Sequence, residues 1–406
     1  MTVSGAGDDV LEAWLWEIGK GIGKVFLNPL LYWAIILVFW TGWQRIKKER
    51  FDFGLKVFDV FSEWRYTWKA SILFGLGISL VTLRAGMVFS YDVILLLCAV
   101  IIILSIAGKL TFLSASYTIG ITYLLLLLLP ILLEEQTTLD TALLSNMNLT
   151  ALVILLGIFL IIEGIMLTRT RRNDTYPGLT LGNRGAWIGL HHVKKLAIIP
   201  FFVLIPAGLI EPVAPFWPYF SIGGESYGLL LFPFIIAYDH KVKGDLPSLA
   251  VKKLAKPMIY LGILVLAIAI GSIYIPVLTL AAVIVAILGR EFINYRYRIR
   301  ENEKIPFFRQ INDGCKVLAI IPGTPAERLD ILPGEIVVKV NGTKISGMDD
   351  FYQALQKSGA SFKLEILDDA LEKRIVQGAL YEGEHHELGL IFTDEPHKNN
   401  QKKKAE

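Results

Sequence analysis

The 406 residues are 54% hydrophobic and only 19% charged, with a mean hydropathy of +0.53. Soluble domains carry roughly 25% charge, so an ordinary soluble enzyme is excluded as a description of the whole chain. The near-balanced net charge of +3 gives little support to nucleic-acid binding, and two cysteines, Cys98 and Cys315, exclude a disulfide framework.

In chain order, Asp8, Asp9 and Glu12 stand where a cleavable leader would be basic, so no leader is expected. Residues 10–26 place Val10, Leu11, Trp14, Leu15, Ile18, Ile22, Val25 and Phe26 on one helical face. That pattern predicts an amphipathic interfacial helix within segment 1–24, and Lys20 and Lys24 suit a cytoplasmic surface for it. A span needs about 20 apolar residues. Candidates follow at 25–43, 70–89, 93–107, 110–133, 149–167 and 196–217. The run 228–238 is too short to cross alone as a straight helix. The run 258–289 is long enough for two helices that turn at Gly271-Ser272. The expectation is a polytopic α-helical membrane domain of about eight helices over 25–289. Pro200, Pro206, Pro212 and Pro215 break the sixth run. Broken helices can line transport sites, but no inverted repeat accompanies them.

Charge placement predicts orientation. Segments 44–69, 168–195 and 239–257 hold seven, six and five Lys/Arg, and 290–300 adds Arg290, Arg296, Arg298 and Arg300. The alternate connections carry Asp92, Glu134, Glu135, Asp140 and Glu225 and no Lys or Arg. Basic loops stay cytoplasmic, which puts the C-terminal part in the cytosol. Counting every candidate as a span puts the N-terminus outside; the expectation of an N-terminus inside rests on one short segment not crossing and on Lys20 and Lys24. The run Arg45 to Arg50 can also attract anionic lipid, at ~1 kcal/mol per basic residue; topogenic charge explains it equally well. Arg84, Glu163 and Glu211 fall within or near apolar runs. Such residues are costly in a bilayer, and the plain reading is that each sits near an interface or pairs within the bundle.

Catalytic signatures are thin. Gly224-Glu225-Ser226-Tyr227-Gly228 matches G-x-S-x-G, but no extracytoplasmic connection supplies a histidine. His191, His192, His240, His385, His386 and His397 form no H-E-x-x-H pair. No phosphate or dinucleotide loop occurs, so neither a cofactor nor a metal is expected, and no catalytic residue is assigned.

Residues 290–406 carry 18 Lys/Arg and 19 Asp/Glu, the balance of a soluble domain. After a helical linker at 290–306, Val317 to Ile321 alternates as a strand, and Pro322-Gly323-Thr324-Pro325 turns the chain. Ile331-Leu332-Pro333-Gly334 then leads into Glu335 to Val340, with a hairpin signal at Asn341-Gly342. A helix follows at Phe351 to Lys357, with strands at Phe362–Leu367, Arg374–Ala379 and Leu388–Phe392. Residues 394–406 read as a disordered tail.

The sequence from 307 to 393 resembles bacterial PDZ domains: strand, P-G-T-P-A, short helix, L-P-G-E-I and V-N-G. The resemblance implies a soluble α+β domain that binds a peptide as an added strand. No carboxylate-binding loop precedes Val317. Glu387-Leu388-Gly389-Leu390-Ile391-Phe392 has that character instead, which implies a permuted strand order. Leu388, Gly389 and Leu390 would form the loop, Ile391 and Phe392 the paired strand, and Phe351, Ala354 and Leu355 the facing helix. The alternative, that Leu388 to Phe392 is only core, stays open.

The whole architecture, from Asn28-Pro29-Leu30-Leu31-Tyr32-Trp33 through the basic segment to the C-terminal PDZ domain, resembles the MinJ family of Bacillus-type bacteria. That resemblance implies a non-enzymatic scaffold of cell division. It would link a DivIVA-type polar and septal protein to a MinD-type ATPase, with enrichment at septum and poles. The alternatives are a PDZ-bearing membrane protease or protease regulator and, third, a transporter.

Overall fold

The computed structural model describes residues 3–133, 148–182, 184–212, 214, 216–221, 226–357, 359, 361–379, 388–394 and 397. Outside them lie Glu134, Glu135, Asp140, Glu225, the start of the G-x-S-x-G match, His385, His386 and nearly all of the tail.

The helical part comprises α1 (Val3–Lys24), α2 (Pro29–Phe53), the short α3 (Ser62–Arg65), α4 (Trp68–Ala85), α5 (Tyr91–Ile106), α6 (Ala115–Leu133), α7 (Leu149–Thr168), α8 (Pro247–Gly271) and α9 (Leu278–Glu303). Local chemistry sets several starts. Asn28 accepts the Leu30 N–H at 2.9 Å ahead of Pro29, and Asn148 accepts the Ala151 N–H at 3.1 Å. Among the described residues, α4, α7, α8 and α9 are long and apolar enough to cross a membrane, and α1 with α2 forms a further pair bent by 55°. The expected turn near Gly271-Ser272 separates α8 from α9. Helix α7 is the most enclosed, and its Phe159 packs on Phe201 and Phe234 at the centre of the core.

Two expected spans are not helices. Residues 196–210 of the first run and all of 228–238 lie in strands β2 (Trp187–Ile210) and β3 (Tyr227–Val242), an antiparallel hairpin inside the helical bundle. Strand β1 (Tyr176–Leu181) pairs with the start of β2. In an apolar medium a strand edge must find partners within the protein, and α4 supplies them. Thr67 Oγ1 donates to the Leu196 carbonyl (2.6 Å), Ser79 Oγ accepts the Phe202 N–H (2.9 Å), and Thr82 Oγ1 donates to the Phe202 carbonyl (2.6 Å). Farther along, Phe89 N–H reaches the Leu204 carbonyl at 2.9 Å. Pro200 faces Pro233 across the hairpin, and neither has an N–H to leave bare. The outer edge of β3 gives its Leu229 N–H to Glu17 at 3.3 Å. Of the prolines read as helix breaks, Pro200 and Pro206 are therefore strand residues.

Helix α1 is also placed differently from expectation. It packs at the turn end of the hairpin, with Trp14 beside Trp217 (6.0 Å) and Glu17 at Leu229, away from the basic segments. Its Leu11, Leu15, Trp16 and Ile22 remain exposed, as an apolar face turned to lipid would be.

The C-terminal domain contains β4 (Cys315–Ile320), α10 (Pro325–Arg328), β5 (Ile336–Val340), β6 (Thr343–Lys344), α11 (Met348–Gln356), β7 (Ser361–Leu367), β8 (Lys373–Ala379) and β9 (Leu390–Phe392). The sheet order is β8-β7-β5-β4-β9, so the last strand lies beside the first, as the permuted reading requires.

At Gly75 of α4 a Cβ would stand 2.0 Å from the Pro200 carbonyl oxygen, whereas at Gly77 it would meet nothing within 4 Å. Gly75→Ala should push α4 off the strand and lower stability by about 1–3 kcal/mol. Gly77→Ala should be neutral or slightly stabilising. Thermal unfolding of the detergent-solubilised protein distinguishes the two.

Candidate functional site

The candidate groove residues converge. Leu388, Leu390 and Phe392 point into the core of the C-terminal domain with Phe351 and Leu355 of α11, and Ala354 packs at its margin. The Phe351 and Phe392 rings meet edge to face at 5.1 Å. Strand β9 has β4 on one side and no strand on the other among the described residues. Gly389 has φ +86°, and a Cβ there would lie 2.1 Å from Thr324 Oγ1, so only glycine fits. Its carbonyl accepts the Ile321 N–H, and that of Leu388 accepts the Ala326 N–H, which fixes the loop on α10. A cavity of about 400 Å³ opens at the other end of this wall, bordered by Asp349, Asp350, Phe392 and Asp394. Leu388, Leu390 and Phe392 are thus part of the domain core, as the alternative reading has it, with the helix residues Phe351 and Leu355 packed against them.

Ile391 is the exception. Its side chain turns away from α11 and packs with Leu318 and Ala319 against Val57, Phe58, Tyr176, Leu246 and Phe308. This apolar seam joins the C-terminal domain to the membrane domain. The platform beneath it is built by Arg45, which donates to Glu63 (2.8 Å), Ser62 (2.9 Å) and the Asp59 carbonyl (2.6 Å) and also pairs with Glu49. Glu49 in turn accepts the Val57 N–H at 2.9 Å. Arg45 is therefore buried, and the lipid-attracting reading of the Arg45 to Arg50 run does not extend to it.

Polar groups fix the docking. Register slips in β4 between Val317 and Ala319, and His191 Nε2 lies 2.9 Å from the Leu318 carbonyl. Thr175 Oγ1 holds His191 Nδ1 at 2.9 Å, which suits a neutral ring with its proton on Nε2. Burial pushes the His191 pKa down to about 3. Arg172 forks onto both carboxylate oxygens of Asp369 at 2.6 Å and donates to the Pro333 carbonyl. Both residues belong to a segment whose charge reads as topogenic, and no sequence pattern marks them as docking groups.

The other candidates separate. Glu163 and Arg290 are wholly buried and form an ion pair at 2.7 Å, with Ser114 donating to the same carboxylate at 2.7 Å. This is pairing within the bundle for Glu163, and it removes Arg290 from the topogenic set. Arg84 and Glu211 are exposed. Ser226 lies at the turn end of the hairpin, whereas His191, His192 and His240 lie at the opposite end. Among the described residues no cluster of His, Cys, Asp and Glu is suited to a metal ion.

These features define a class: a multi-helix membrane protein with a docked C-terminal PDZ domain. The PDZ domain family model matches residues 316–368. The chain is 32% identical to the cell division topological determinant MinJ of Bacillus subtilis over 94% of its own length and 96% of that protein. It belongs to the MinJ family. A probable cell division topological determinant MinJ of Lacticaseibacillus paracasei is 29% identical over 21% of this chain and 23% of that protein. A putative serine protease HhoA of Synechocystis is 37% identical over 16% of this chain and 17% of that protein.

Undocking returns His191 to water, where its ordinary pKa is about 6.5. The ring is neutral when docked and takes up a proton when released, so docking is complete above about pH 6.5 and weakens as pH falls towards 3. At pH 5.5 the loss should be roughly tenfold in the docking equilibrium. Energy transfer between dyes on the two domains reads it, and His191→Phe should abolish the pH dependence.

Proposed function

We propose that this chain is a non-enzymatic membrane scaffold of division-site selection, bridging a DivIVA-type polar and septal protein to a MinD-type ATPase. The observation that carries the reading is family membership across nearly the whole chain, with a relative described as a topological determinant of cell division. The basic segments cluster on the face that bears the PDZ domain, which supports a cytoplasmic position for it. A partner's C-terminal peptide would add along the free edge of β9. Its carboxylate would lie at Leu388-Gly389-Leu390, and its side chains would lie between Phe392 and the α11 residues Phe351, Ala354 and Leu355. Because Phe351 and Phe392 already touch, capture requires α11 to swing outward. Other division proteins are further candidates for the same groove.

The short match to a serine protease raises the alternative of a PDZ-bearing protease or its regulator. The separation of Ser226 from His191, His192 and His240 weighs against it.

A fluorescent fusion should concentrate at septum and poles. Uniform membrane signal that ignores the DivIVA-type protein would overturn the proposal. Ala354→Trp fills the groove from the helix side without touching the Gly389 loop, and should weaken partner-peptide binding by about tenfold or more. Unchanged binding by calorimetry would show that partners dock elsewhere.

A further inference from the structure

On the face that bears the PDZ domain, a recess of about 530 Å³ opens between the turn Leu110–Leu113, the end of β3 and α9. All three elements change there from apolar to charged sequence: Lys109 follows α5, Asp239 follows the apolar run of β3, and Glu291 follows that of α9. This is the depth of lipid headgroups. Lys109, Lys241, Lys243 and Arg298 line the recess.

Its carboxylates are engaged within the protein. Asp239 holds His192 Nδ1 at 3.0 Å, Glu291 accepts the Tyr117 hydroxyl, and Glu301 accepts the N–H groups of Lys243 and Gly244 at 3.0 and 3.1 Å. Arg298 stands 3.7 Å from Glu291, whereas Lys109, Lys241 and Lys243 form no ion pair among the described residues. Two further groups point to a ligand. His240 is 6% exposed, packs between Tyr238 and Tyr297, and has no hydrogen-bond partner for Nε2 among the described residues. Asn294 Oδ1, also at the recess, likewise lacks one. A buried nitrogen left bare is unfavourable, and an anionic oxygen at hydrogen-bond distance removes that cost. Below Glu291 on the same helical face lie Leu288, 64% exposed, and Ile284, an apolar track for a chain.

We propose that this recess binds the headgroup of an anionic phospholipid. Its phosphate is held by Lys109, Lys241 and Lys243 with His240 Nε2 donating, and a headgroup hydroxyl donates to Asn294 Oδ1. Phosphatidylglycerol has that chemistry. Basic recesses between membrane helices are suited to such headgroups.

The test uses the full-length protein in detergent, titrated with phosphatidylglycerol or phosphatidylcholine and read by native mass spectrometry. Lys241→Gln with Lys243→Gln should weaken phosphatidylglycerol retention about fivefold per residue, with phosphatidylcholine retention unchanged. His240→Phe keeps a ring between the two tyrosines and should also lower retention while the melting temperature holds. Lys109→Gln, at an exposed turn position, gives the same reading if the double variant fails to fold. Lys47→Gln with Arg50→Gln removes two exposed cations on the same face but outside the recess. If that pair lowers retention as much, a diffuse basic rim holds the lipid and the proposal fails. Inorganic phosphate separates the sources. The lipid assignment also fails if phosphate stabilises the wild type but not the Lys241/Lys243 variant while lipid retention is equal in the two.

Discussion

The membrane domain depends on the contact between the outer edge of β2 and the hydroxyl face of α4. A hairpin buried among apolar helices has peptide groups that water cannot reach, and each unpaired one is costly. Thr67, Ser79 and Thr82 recur at near-helical spacing along one side of α4 and meet Leu196 and Phe202 at the matching pitch of the strand. Gly75 lets the backbones close to that range, and Pro200 and Pro206 delete donors that α4 does not satisfy. With that seam in place, β2 and β3 can pack Phe201, Phe232 and Phe234 around Phe159, and the central helix α7 acquires its core.

The same hairpin extends past the apolar layer and forms the docking surface. Beyond Leu196 it continues through Lys195 and His191 to Trp187, so one strand supplies both the bundle's interior and the seat of the PDZ domain. Gly189 N–H bonds the Phe308 carbonyl at 2.8 Å, directly beside His191. Strand β9 is thereby tied to the membrane domain through Ile391, while its neighbours Leu390 and Phe392 point into the core of the C-terminal domain.

How much of this the sequence discloses follows from what each signal measures. The PDZ strands and α11 are legible to within a few residues, because alternation, Asn341-Gly342 and the proline turns are local statements about backbone shape. The permuted placement of Leu388 to Phe392 follows instead from the resemblance to bacterial PDZ domains, since no local signal pairs the last strand with the first. Hydropathy measures only apolar length, so 196–217 reads as a span although 196–210 is strand. The discriminating clue was the pair Pro200 and Pro206 among Ile, Val and Phe, and it was visible. Arg45 and Arg290 read as topogenic because charge counting does not register a partner elsewhere in the chain: 18 residues away for Glu63, 127 for Glu163. The bulge at Leu318 and the hydrogen bond that its carbonyl accepts from His191 are tertiary facts with no local signature.

The pair of Glu163 and Arg290 has a consequence for biogenesis. An ionised side chain on a membrane helix is costly, and here Glu163 and Arg290 are buried against each other near the ends of their apolar runs. Helix α7 leaves the ribosome well before α9, and at 5–20 residues per second the 127 intervening residues take roughly ten seconds. For that interval Glu163 has no cation to meet, and Ser114 on the already synthesised side offers only a hydroxyl. The helix must be retained at the insertion machinery or enter the bilayer uncharged until its counterpart arrives. Truncation before Arg290 therefore leaves Glu163 of α7 without its counter-ion.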